Sequence, residues 1–126
     1  VSADVISADA TSADAIPAGV VYEVNLDLEV AVRAEYLGWL AAHVAEICAL
    51  PGFIDARILE VTDPAPAPGR ASLCVQYRLT GPEALGVYLA EHAPRLRAEG
   101  AARFGTRFTA SRRVLALLPE RSGNTG

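Results

Sequence analysis

Two histidines, four tyrosines, one tryptophan and a run of arginines are the side chains best suited to chemistry in this sequence. Histidine titrates nearest neutrality, so it can take or give a proton at physiological pH. Trp39, His43 and Glu46 are spaced i, i+4, i+7, which on a helix puts them on one stripe. There His43 can act as acid, base or polar anchor, oriented by Glu46. The same spacing also suits plain packing, with Trp39 against a neighbour and a His43–Glu46 hydrogen bond near a contact surface. His92 falls in step with Leu85 and Leu89, either as a satisfied core group or facing a pocket. Tyr77 adds a phenol, and His43, His92 and Tyr77 form the candidate catalytic set. Asn25, Trp39, Arg57, Gln76 and Arg112 form the candidate ligand-binding set. Arg57 and Arg112 together would suit a ligand carboxylate. Mutual neutralisation among Glu23, Asp55, Arg57, Arg78 and Arg112 across packed sheets explains the same residues without a ligand.

The sequence has no glycine-rich phosphate loop, no His-Glu-x-x-His zinc motif and no nucleophile elbow. Cys48 and Cys74 lie far apart in apolar segments and read as buried free thiols. No metal and no cofactor are therefore expected, and any chemistry would fall to the chain's own side chains or to a borrowed group. All eleven basic residues are arginine, and those between Arg95 and Arg113 face a single local acid, Glu99. Such a segment can bind phosphate, but the net charge of −4 argues against nucleic acid as a partner and makes ion pairs elsewhere on the fold the simpler account. The longest apolar stretch, Tyr36 to Leu50, carries His43 and Glu46 and is too short to cross a membrane. The N-terminus shows no cationic region followed by an apolar one, so a cytoplasmic protein with no membrane partner is expected.

The elements that must position these groups follow from periodicity. Residues 1–19 repeat Ser-Ala-Asp every five residues, a period of neither helix nor strand, and are expected to form a flexible leader. Residues 20–118 are expected to fold, and 119–126 to form a polar tail. Tyr22, Val24, Leu26 and Leu28 alternate with Glu23, Asn25 and Asp27, which predicts a half-buried first strand. From Glu29 to Leu50 the period is helical, with Leu37, Leu40, Val44, Ile47 and Cys48 as the apolar stripe, and Pro51-Gly52 stops it. Strands are predicted at Phe53 to Val61, Ala71 to Leu79 and Thr106 to Leu118. Between the last two, Thr80 and Glu83 read as a capping box, and Pro94 should interrupt a helix that resumes towards Gly100. The order predicts an α+β, ferredoxin-like βαββαβ fold with a four-stranded antiparallel sheet and both helices on one face. The bare face calls for a cover, and a second copy would make the pair a homodimer, a dimeric α/β barrel.

Five segments carry a resemblance: Tyr22-Glu23-Val24-Asn25, His43-Val44-Ala45-Glu46-Ile47, Phe53-Ile54-Asp55, Val75-Gln76-Tyr77 and Arg103-Phe104-Gly105-Thr106-Arg107-Phe108-Thr109-Ala110. Over residues 20–118 the chain resembles a family of short bacterial proteins known as a domain of unknown function, of the dimeric α/β-barrel class. The Arg-Phe-Gly-x-Arg-Phe-x-Ala segment is the most specific element. One departure is Glu99-Gly100, where the resemblance implies a histidine after the glutamate. The resemblance implies the fold and the dimer and brings no activity with it. By analogy of fold, the expected function is binding of a small organic ligand in a pocket between helices and sheet, up to turnover as a cofactor-independent enzyme of monooxygenase, cyclase or isomerase type. The alternative is a non-enzymatic dimeric ligand-sensing or protein-interaction module.

Overall fold

Alternation along Val20–Glu29 builds β1, which sits inside the sheet with a partner on each side. The computed structural model describes residues 19–119 and 123; the expected leader and most of the expected tail lie outside the described residues. After β1, a 3-10 turn at Val30–Val32 leads into α1 (Arg33–Cys48). Then come β2 (Phe53–Glu60), β3 (Arg70–Leu79), α2 (Pro82–Glu91) and α3 (Ala93–Phe104). A second 3-10 turn at Gly105–Arg107 delivers the chain to β4 (Phe108–Ala116). The sheet order is β2-β3-β1-β4 with every pair antiparallel, which is the ferredoxin-like arrangement.

One face of the sheet carries the core. Tyr22, Leu26 and Leu28 of β1 and Leu73, Val75 and Tyr77 of β3 pack against Tyr36, Leu40 and Ile47 of α1 and Leu85, Tyr88 and Leu96 of α2 and α3. Leu28, Ile47, Leu73, Leu79, Leu96 and Val75 are the largest wholly buried side chains, each contributing about 2 kcal/mol by burial. Residues of opposite parity, among them Glu23, Asn25, Gln76 and Arg78, fall on the face the helices leave uncovered. No helix among the described residues is long and apolar enough to cross a membrane.

Four local expectations change. The first helix becomes α-helical only at Arg33, because Val30–Val32 forms the 3-10 turn. Thr80 caps nothing: Gly81 is the N-cap of α2, no side chain closes the turn, and Pro82 begins the helix where its missing N–H is not needed. The interruption falls at His92, so Pro94 lies in the first turn of α3 instead of breaking a helix from within. Helix α3 passes Gly100 and ends at Phe104, where Gly105 at φ 57° takes the left-handed conformation that suits glycine.

Candidate functional site

Periodicity alone turns most of the chain's aromatic side chains to one place. A cavity of about 60 Å³ lies between the helices and the sheet. All four tyrosines line it: Tyr22 from β1, Tyr36 from α1, Tyr77 from β3 and Tyr88 from α2. Trp39 and His43 join from the α1 stripe and Phe108 from β4, while Phe53 and Phe104 stand behind in contact with the lining rings. The rings meet at 4.5–6.4 Å in stacked, tilted and edge-on pairs, the separations at which aromatic contacts add to burial. Tyr22 stacks on Tyr77 at 5.9 Å and meets Tyr88 edge-on at 5.8 Å; Tyr36 lies 4.7 Å from Phe104 and 5.3 Å from Phe108.

Two cations complete the site. Arg97 of α3 and Arg112 of β4 are its only exposed lining residues, so the mouth lies between these elements. The Arg97 guanidinium donates to the Tyr22 hydroxyl at 3.0 Å. Arg112 shares the helix-facing register of Phe108 and Ala110, opposite Val24, and its charge reaches Tyr36 and Tyr88. No carboxylate lines the cavity. Burial pushes Tyr36 and Tyr88 up to about 12 and Tyr77 higher still, so the phenols stay protonated and able to donate. Burial lowers His43, with Glu46 and Glu99 opposing more weakly, so its imidazole is neutral at pH 7 and free to accept a proton. The ring stacks on Trp39 at 4.5 Å and 20°. A neutral base, phenol donors and two guanidiniums around an apolar slot can deprotonate a weak acid and hold the resulting oxyanion.

The structure brings His43, Tyr77, Trp39 and Arg112 together at this cavity. His92 stands apart: it is the half-buried joint between α2 and α3, its backbone N–H bonded to the Tyr88 carbonyl. Asn25, Gln76 and Arg57 lie on the opposite face, gathered about Glu23. Glu23 is 3% exposed and accepts from Arg113 Nε at 2.6 Å, Asn25 Nδ2 at 3.0 Å and Gln76 Nε2 at 3.0 Å; Gln76 Oε1 in turn accepts from Arg57 Nε at 3.0 Å. The Arg113 and Asn25 bonds hold the Glu23 carboxyl down at about 2. Arg57 and Arg112 are therefore on opposite faces of one sheet and cannot clamp a carboxylate between them. Within this sheet Glu23 pairs with Arg113, not Arg112, and Asp55 pairs bidentately with Arg78. Glu46 engages Arg95 at 3.2 Å and does not orient His43 through a hydrogen bond. The arginine run is likewise answered by acids, Arg103 by Glu35 and Arg107 by Glu29.

Sequence reasoning missed Tyr36, Arg97 and Gly100. Tyr36 is three residues before Trp39 on the same helix, and Arg97 three before Gly100, so each pair shares a face. A glycine within a helix was the signal for Gly100: a Cβ there would come within 3.1 Å of the Trp39 ring.

The fold recurs in solved structures. A variant of SnoaB, a cofactor-independent oxygenase from Streptomyces nogalater, aligns with a TM-score of 0.57 and 20% identity over 85% of this chain and 98% of that one. A protein of unknown function from Nitrosomonas europaea aligns at 0.63 with 14% identity over 86% and 97% of the two chains. The heme-degrader MhuD from Mycobacterium tuberculosis, with two hemes in its active site, aligns at 0.58 with 18% identity over 82% and 99%. At these identities the likeness is one of fold. No curated protein matches the sequence. Residues 19–118 do match one family across almost the whole described chain. The chain belongs to the family described as domain of unknown function DUF4286, with the protomer fold of the dimeric α/β barrels.

Proposed function

We propose that this protein binds a planar organic ligand that carries an anionic oxygen, or develops one on losing a proton, and acts on it as a cofactor-independent enzyme. The observation that carries the reading is the cavity itself: aromatic walls, a neutral imidazole and two guanidiniums, with no lining carboxylate. His43 takes a proton from an acidic C–H or O–H, and Arg112, Arg97 and the protonated phenol of Tyr77 hold the oxyanion. Returning that proton to another carbon isomerises the substrate, and attack on an internal carbonyl closes a ring. With dioxygen as co-substrate, a CH₂ becomes C=O and one water leaves. These outcomes are the isomerase, cyclase and monooxygenase types, and the structural likeness to a cofactor-independent oxygenase supports the third. We place the protein in the cytoplasm as a homodimer joined through the polar sheet face.

A ligand-sensing module without turnover is the competing reading, favoured by the small cavity. Hydrogen–deuterium exchange of 2-tetralone in D₂O, followed by NMR, separates the two. The full chain should accelerate exchange at the carbons beside the carbonyl, and His43→Gln should lower the rate by about 10²-fold or more. Exchange no faster than in His43→Gln, with 2-tetralone still bound, would favour the sensor.

A further inference from the structure

The cavity is too small for the ligand class it is built to attract. Its volume of about 60 Å³ falls well short of the about 300–1,000 Å³ of sites for small organic molecules. Something in the lining must therefore move. Tyr22, Tyr36, Tyr77, Tyr88 and Leu96 are buried and packed into the core, while Arg97 and Arg112 occupy only the mouth. Trp39 differs from both groups. It is half-buried on α1, and among the described residues no hydrogen bond holds its indole N–H. Its ring stacks on the His43 imidazole at 4.5 Å, and its outer edge abuts Gly100, where a methyl group would come within 3.1 Å of the indole Cη2. Tyr36 and Phe104 complete an aromatic box around it at 5.5 and 5.6 Å. A flat ring with its edge against a glycine, stacked on the base and flanked by aromatics, is itself arranged as a bound ligand would be.

We infer that the Trp39 indole is a built-in placeholder for the ligand: it fills the binding slot beside Gly100, and a planar aromatic anion of similar width binds by displacing it. The inference rests on the ligand-binding reading of this cavity and adds which residue gates it and what shape it admits. Gly100 limits the width, because a Cβ there would already sit 3.1 Å from the indole edge, and a longer side chain would extend into the space that indole and ligand share. Arg97, one turn before Gly100 on the same face of α3, and Arg112 then meet the ligand's anionic group. Swinging a single side chain keeps the core intact and exposes His43, which the indole otherwise covers.

Trp39 is the only tryptophan, so 5-fluorotryptophan labelling gives one ¹⁹F resonance that reports on this slot. Titrating the labelled full chain with 2-naphthoate should move that resonance to a solvent-exposed position. By calorimetry, Trp39→Ala should bind 2-naphthoate about tenfold more tightly than the unchanged protein, because the cost of expelling the indole is gone. Trp39→Phe should fall between, and Gly100→Leu in the Trp39→Ala background should remove the gain. Each variant is first shown to unfold cooperatively; should Trp39→Ala not, Trp39→Phe carries the comparison. Binding that leaves the ¹⁹F resonance in place, or that weakens in both Trp39 variants, would show the indole to be a wall and overturn the placeholder. Failure of every variant, Trp39→Ala included, to bind 2-naphthoate would instead sink the ligand-binding reading beneath it.

Discussion

Protonating His43 would place a charge among aromatic rings with no hydrogen-bonded carboxylate beside it. Its pKa is lowered in the folded chain, from an ordinary value of 6.5, chiefly by burial. Below 6.5 the unfolded chain therefore takes up the proton first, and stability falls with falling pH through the window beneath that value. Thermal unfolding followed across this range should show the loss, and His43→Gln should flatten it; an unchanged slope in the variant would place the titration elsewhere. Glu23 acts in a separate window. Its pKa drops from 4.5 to about 2, so its contribution is complete above 4.5 and is lost as pH falls towards 2. The carboxylate is covered by Asn25, Gln76 and Arg113, not by depth in the core. Glu23→Gln should cost about 2 kcal/mol by urea unfolding at pH 7, with most of the acid-side slope gone.

At the scale of elements, Gly52 shows how tightly the connections are specified. It turns α1 into β2 at φ 86°, and a Cβ there would overlap the Ala84 Cβ at the start of α2. Gly52→Ala should destabilise the chain by about 2 kcal/mol through backbone strain and that clash; a melting temperature within a degree of the parent would refute this. Such features also explain what the sequence made legible. Strict alternation identifies β1, and apolar periodicity identifies α1, so the Trp39–His43 stripe is readable from the sequence. Tyr77 and Gln76 are expected at one site, yet as neighbours along β3 they face opposite ways, and only Tyr77 reaches the cavity. Arg57 could not be placed, because the ladder between β2 and β3 slips between Phe53 and Asp55. Counting from Phe53 puts Arg57 on the helix-facing side, and the irregularity sends it to the other. The neighbours Arg112 and Arg113 face opposite ways for the ordinary reason that strand side chains alternate, and only pairing to Val24 and Glu23 settles which is which. The Thr80 cap misled because its spacing to Glu83 is right while Gly81 and Pro82 take over the helix start.

For the whole molecule, the two faces of one sheet divide the work. The helix side holds the aromatic cavity; the other holds Glu23, its three donors and the Asp55–Arg78 pair, bordered by Leu59 and Leu115. If that face joins two copies, Arg113→Glu sets two carboxylates against each other within the contact and should weaken the dimer by about tenfold or more, measured by sedimentation across a dilution series. A parent chain that sediments as a monomer at every concentration would remove the barrel while leaving the cavity untouched. If the proposed function holds, the cavity takes a planar anion on Arg97 and Arg112. Native mass spectrometry of the full chain mixed with an aromatic carboxylate series, beside its Arg97→Gln/Arg112→Gln variant, tests it most directly. One carboxylate should be bound per chain in the parent and none in the variant. Equal loading of both, or of neither, would contradict the proposed function.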